Sequence, residues 1–167
     1  MTQLADRLNL IPLSLSADQG CPAAVLVGLQ QHRSGWNVVM TRRATHLAHH
    51  AGQISFPGGK VEPGDTNLVV TALREAEEEI ALYPKSVTIL GGLDIVISPS
   101  GFVVQSIVGL IASNAYFVAA PDEVDEVLVL PLSDILNTAG HRRKKYLCKG
   151  VQREVWVIDH AEHNLWG

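Results

Sequence analysis

The sequence predicts a mixed α/β fold, a β-sheet carrying α-helix, built as one domain over residues 1–167. Three observations predict it. The 167 residues match the usual ~100–200 residues of a single domain. Short apolar, β-branched runs recur along the chain, and between two groups of them one longer segment repeats its apolar residues at helical spacing. With 47% apolar and 18% charged residues, the chain can bury a core and is too apolar for disorder.

The elements follow in order. Ala23–Leu29 and Trp36–Thr41 read as strands, rich in Val and Leu. A turn-rich stretch comes next, from Gly52 through Phe56-Pro57-Gly58-Gly59 to Glu62-Pro63-Gly64-Asp65. Thr66–Leu82 reads as the main helix, because Val69, Ala72, Leu73, Ala76 and Ile80 share one face at ~100° per residue. Asp65 or Thr66 is the expected cap, and Pro84 forbids continuation. Val87–Ile97, Phe102–Ala112, Val127–Leu130 and Val155–Asp159 read as further strands, with a short helix at Ser133–Asn137 after Pro131.

Composition also excludes function classes. The longest apolar runs, such as Ile107–Ala112, fall short of the ~18–20 residues of a membrane span. Met1–Leu10 shows no apolar signal region. Two cysteines, Cys21 and Cys148, exclude a disulfide framework and fit a reducing cytoplasm. A net charge of −4 argues against a general nucleic-acid binder.

The main helix carries the chemistry. Glu75, Glu78 and Glu79 stand at i, i+3 and i+4 and crowd onto one face, which the pattern places in solvent. Like charges there repel, and Mg²⁺ or a similar hard cation turns that repulsion into ligation. Glu77 lies away from the cluster and reads as a solvated charge. Gly58 and Gly59 precede the helix in a loop whose bare backbone can approach an anion closely.

These residues resemble the Nudix box, G-x5-E-x7-R-E-U-x-E-E-x-G-U with U aliphatic, over Gly59–Leu82 around Arg74-Glu75-Ala76-Glu77-Glu78-Glu79. Three positions depart from it: Gly59 stands one residue too far from Arg74, Thr66 fills the slot of the first glutamate with Asp65 beside it, and Ala81 replaces the box glycine. The resemblance implies a Nudix fold, a mixed sheet sandwiched between helices, and hydrolysis of a nucleoside diphosphate derivative with Mg²⁺ or Mn²⁺. By the same resemblance Glu75, Glu78 and Glu79 hold the metal and Arg74 orients them through a bidentate contact. Glu123 is the best match for a late general base, while Asp122, Asp125 and Glu126 around it read as a solvated loop.

Met40-Thr41-Arg42-Arg43-Ala44 and Gly52-x3-Phe56-Pro57-Gly58-Gly59 resemble the coenzyme A diphosphatase branch, as do Ser100-Gly101-Phe102, Asp122-Glu123-Val124 and Leu130-Pro131-Leu132. Ala48 stands where that signature has a second arginine. The branch implies a coenzyme A-like nucleotide as substrate, with Arg43, Gly58 and Gly59 in contact with it. ADP-ribose, NADH or another nucleotide is the alternative, as is a nucleotide-binding domain without activity. Beyond Leu165-Trp166-Gly167 the family continues into a final helix, so the chain is expected to be a shortened form or a fragment. The expected partners are a small nucleotide and at most a second copy of the chain, as a homodimer, with no nucleic acid and no membrane.

The remaining features have ordinary readings. His46, His49 and His50 match no strong Zn²⁺ spacing and read as loop histidines. Arg142-Arg143-Lys144-Lys145, with Lys149, reads as a solvated hairpin, with contact to the 3′-phosphate of coenzyme A as its functional alternative. Trp36, Trp156 and Trp166 read as core or interface residues.

Overall fold

The computed structural model describes Leu8 and residues 20–98, 100–148, 151–160 and 163–166. Apart from Leu8, the Met1–Leu10 stretch read for a leader lies outside the described residues, as do Lys149 and Gly167.

Strand β1 (Cys21–His32) is the spine of the larger sheet. One edge runs parallel to β7 (Phe102–Ile111), with Ala24 opposite Gln105. Its other edge is shared. Strand β2 (Gly35–Arg43) pairs with the second half, Leu29 opposite Val38, and β4 (Gly58–Lys60) pairs with the first half, Ala24 opposite Gly59. Beyond that fork β2 runs on between β3 (Ile54–Ser55) and β8 (Val124–Pro131) to Arg43. Strands β5 (Val87–Gly92) and β6 (Val96–Ile97) pair antiparallel with β7. One parallel pairing among antiparallel ones makes the sheet mixed, as expected.

Helix α1 (Leu68–Ile80) covers one face. Its Leu68, Ala72, Ala76 and Ile80 pack with Ala24, Leu26, Val39, Ile107 and Ile111 of the sheet, and Val69 and Leu73 flank them. Fully burying one such Leu or Ile side chain is worth ~1.5–3 kcal/mol, well above a residue's helix propensity of at most ~0.7 kcal/mol. Packing therefore seats the helix. The other face buries Leu29, Val38, Met40, Val108, Leu128 and Leu130 beneath Leu132 and Ile135 of α2 (Leu132–Leu136). A separate three-stranded sheet, β9 (His141–Cys148), β10 (Val151–Asp159) and β11 (Asn164–Trp166), adds Ile158 and Leu165 to that core.

Several sequence expectations need correction. The main helix starts at Leu68, not Thr66, because the Asn67 side chain accepts from the Val70 amide at 3.0 Å and is the cap. It ends at Ile80 because Ala81 turns left-handed at φ 54° and donates to Glu77 O at 2.9 Å. The run Val87–Ile97 divides into β5 and β6 around Leu93-Asp94-Ile95. Trp156 and Trp166 are not core residues, being 51% and 39% exposed; Trp156 faces solvent under the Arg143 guanidinium, 4.8 Å from its ring centroid. Trp36 packs against the second core as expected. Among the described residues no helix is long and apolar enough to cross a membrane.

Candidate active site

The fork between β1 and β2 gathers the residues that the sequence singles out. Residues 54–60 bridge it: β3 pairs with β2, β4 with β1, and the Leu26 amide donates to Pro57 O at 2.8 Å. Gly58 and Gly59 therefore lie between sheet and helix. A Cβ on Gly59 would overlap the Glu75 carboxylate, and one on Gly58 would overlap the Ala24 carbonyl and Val25. Only glycine lets the loop lie this close.

Arg43 ends β2. Its amide donates to Gln53 O at 2.9 Å and its carbonyl accepts from Gly52 at 3.0 Å, which closes the 44–52 loop at its base. A register shift between Arg42 and Arg43 turns the strand there, opposite Val124. The next amide, Ala44, donates to Glu123 O at 2.9 Å, so Glu123 is fixed beside Arg43.

The three helical glutamates do not share one exposed face. Glu78 is exposed, Glu75 is half-buried and Glu79 is only 3% exposed. Glu79 follows the apolar Ala76 by three residues and precedes Ile80, so it borders the buried stripe and turns toward Arg43. Arg43 Nη1 approaches Glu79 Oε1 at 4.0 Å. Among the described residues Glu79 Oε2 and Arg43 Nε are buried without a hydrogen-bond partner. Burial pushes the Glu79 carboxyl up to about 8, with Glu75 and Glu123 adding repulsion and Arg43 opposing it. Glu75 is also raised, chiefly by burial, with Arg74 opposing and Glu78 and Glu123 adding to the rise. Glu123 thus lies within electrostatic reach of both.

Arg74 is held from two sides. Its Nη1 donates to Glu78 Oε2 at 2.8 Å and pairs with Glu75 Oε1 at 3.0 Å. The bidentate contact expected toward the glutamates goes instead to Asp65: Nε to Oδ1 at 3.1 Å and Nη2 to Oδ2 at 3.0 Å. This hydrogen bonding raises the Arg74 guanidinium above its ordinary range and holds the Asp65 carboxyl below the usual carboxylate range. The sequence offers Asp65 as a cap and as the neighbour of the first-glutamate slot, and gives no role to Thr71, whose hydroxyl donates to it at 2.9 Å. The spacing carried a signal, since Thr71 and Arg74 stand at i and i+3 on one helix side.

A hard divalent cation fits this donor set. The partnerless Glu79 oxygen offers a carboxylate that needs a positive charge, and Glu75 and Glu123 add repulsion that a cation relieves. Among the described residues no three His, Cys, Asp or Glu side chains are grouped so as to hold a metal ion, and Glu75 and Glu78 engage Arg74. The loop histidines His46, His49 and His50 are exposed, and His50 contacts Gln53 at 2.8 Å. Ala48 is exposed in the same loop. Around Glu123, Asp125 and Glu126 belong to β8 and not to the solvated loop expected of them: Asp125 accepts from the Thr45 amide at 3.0 Å and Glu126 pairs with Arg42 at 3.1 Å. The basic run does form a hairpin strand, with Arg143 paired to Glu154 at 3.0 Å and Arg142 to Asp159.

Comparison with known proteins gives the family. Residues 21–149 match the family model described as NUDIX domain. The chain is 38% identical over 145 residues to "Uncharacterized Nudix hydrolase NudL" of Citrobacter koseri, covering 87% of this chain and 75% of that protein. Among solved structures, the Nudix hydrolase RenU of M. smegmatis superposes with a TM-score of 0.59 at 19% identity, covering 69% of this chain and 73% of that one. The NUDIX domain of Shewanella oneidensis NrtR, complexed with ADP ribose, superposes with a TM-score of 0.55 at 20% identity, covering 81% and 85%. The structural likenesses carry the fold, and the profile and the 38% relative carry the kinship: this chain belongs to the Nudix hydrolase family.

Proposed function

We propose that the chain hydrolyses the phosphoanhydride of coenzyme A or its thioesters to 4′-phosphopantetheine and adenosine 3′,5′-bisphosphate, using Mg²⁺ or Mn²⁺. The observation that carries the hydrolytic part is the buried, partnerless Glu79 oxygen beside Glu75 and the Gly58–Gly59 loop. The branch assignment rests on Arg43 and Phe56–Gly59, which carry the signature and flank the same fork.

Glu75, Glu78 and Glu79 would hold the cation, which when bound neutralises phosphoryl charge and acidifies water. The residues do the rest. Arg43, with its free Nε, offers a charge-assisted hydrogen bond to a phosphate oxygen. The Gly58–Gly59 backbone lets the diphosphate lie against the helix. Glu123 takes the proton of the attacking water as its oxygen bonds to phosphorus and the bridging P–O bond breaks. Arg74 anchors Glu75 and Glu78 together through its Nη1.

A second reading, ADP-ribose or NADH, is favoured by Ala48, which leaves the exposed loop without a second cation for a 3′-phosphate. A product assay with Mg²⁺ across coenzyme A, ADP-ribose, NADH and nucleoside triphosphates decides. Coenzyme A is expected to be cleaved fastest; faster cleavage of ADP-ribose would transfer the enzyme to the second reading, and no turnover on any would leave a binding domain.

A further inference from the structure

We propose that Asp65 is a positioning residue that grips one edge of the Arg74 guanidinium, thereby aims Nη1 at Glu75 and Glu78, and supplies the acid that Thr66 does not. The inference rests on the reading of Glu75, Glu78 and Glu79 as the metal-holding cluster.

The geometry is that of a clamp. The Asp65 side chain is 3% exposed. Its Oδ1 accepts from Arg74 Nε at 3.1 Å, and its Oδ2 accepts from Arg74 Nη2 at 3.0 Å, Glu62 N at 2.9 Å and Thr71 Oγ1 at 2.9 Å. Arg74 Nη2 also donates to Lys60 O at 3.0 Å, which ties the guanidinium to β4. A guanidinium is a rigid plane, so fixing its Nε–Nη2 edge fixes the direction of Nη1. Without that grip the long side chain regains rotamer freedom, and Glu75 and Glu78 lose their common anchor. Thr66 takes no part: it is exposed, and its Oγ1 accepts from Asn67 Nδ2 at 3.4 Å. The extra residue between Gly59 and Arg74 thus moves the acid back by one position.

The competing role is a plain loop anchor, since Asp65 also closes the turn with Glu62. The two separate in a cycle with Arg74, because an anchor acts whatever stands at 74 and a positioner acts only through the arginine. The experiment measures Mn²⁺ binding by electron paramagnetic resonance, together with kcat, on the full chain. The variants are Asp65→Asn, Arg74→Ala, the double variant and Thr71→Val, with Glu78→Gln and Glu79→Gln alongside. Asp65→Asn is expected to weaken Mn²⁺ binding or kcat by about 10–100-fold, the usual scale for a group supporting a ligand, and to add little in the Arg74→Ala background. Should Asp65→Asn not fold, Thr71→Val is expected to show a smaller loss that likewise vanishes with Arg74→Ala. Wild-type behaviour of the variant, or losses that multiply in the double variant, would overturn the proposal. Inactive Glu79→Gln beside a fully competent Asp65→Asn would defeat this inference alone. Unimpaired Glu78→Gln and Glu79→Gln would remove the reading on which it rests, and the inference with it.

Discussion

Arg43 and Glu79 face each other at 4.0 Å, and among the described residues each keeps one buried atom, Nε and Oε2, without a hydrogen-bond partner. An unmet buried polar group costs ~1–3 kcal/mol, more when charged. Under the proposed function a cation would meet the carboxylate and a phosphate oxygen the guanidinium.

The Glu-to-Gln changes test the carboxylates. Glu78→Gln or Glu79→Gln is expected to lower kcat by at least ~10²-fold, the scale for losing a preorganised electrostatic contributor. Circular dichroism should show the fold retained, because the change keeps the shape of each side chain. Steady-state turnover at saturating Mg²⁺ checks it.

The buried acid also predicts how metal and pH combine. The Glu79 carboxyl is raised from 4.5 to about 8 in the folded chain. A raised folded value means that its contribution to stability is full below 4.5 and is lost as pH rises through about 8. Metal-free protein therefore loses stability across that window, and a cation that binds the carboxylate restores it. The Tm gain from Mg²⁺ should be larger at about pH 9 than at about pH 6, as read by thermal unfolding. Asp65, held low by Arg74, works in the opposite sense and lowers stability only on strong acidification.

Ala81 carries a local cost. It adopts φ 54° at the end of α1, where a left-handed residue other than glycine costs ~1–2 kcal/mol. Ala81→Gly relieves this but frees the unfolded chain by ~0.4–1 kcal/mol, so a net gain of about 0.5–1 kcal/mol is expected in urea unfolding, with activity unchanged.

Much of this was legible in the sequence. The apolar face of α1 follows from spacing alone, and Val69, Ala72, Leu73, Ala76 and Ile80 do pack against the sheet. The Arg74–Glu79 run singles out the residues of the candidate site. The burial of Glu79 was not legible, because helical spacing places it at the margin between faces and only Arg43, distant in sequence, decides which side it takes. The cap was misplaced for a related reason: Asp65, Thr66 and Asn67 are all cap formers, and Arg74 engages the first. Strand β9 was legible only as a basic hairpin, because Arg142–Lys145 alternate no apolar residues and pairing with β10 makes the strand.

Under the proposed function, exposed Ala48 in the 44–52 loop bears on substrate choice. Ala48→Arg is expected to raise kcat/KM for coenzyme A by about tenfold or more, the worth of one charge-assisted hydrogen bond, and to leave the 3′-dephospho form almost unchanged. Equal gains on both substrates, or none on either, would show that position 48 does not read the 3′-phosphate.

The most direct test of Glu79 as a metal ligand is calorimetric titration of Mg²⁺ into the wild-type chain, Glu79→Gln and Glu77→Gln. Glu77 is exposed and offers the helix end only its backbone carbonyl, so its variant controls for charge. Wild type and Glu77→Gln are expected to bind alike and Glu79→Gln to lose at least ~10-fold in affinity, since removing a ligand should cost no less than removing a group that supports one. Equal affinity in all three would contradict it.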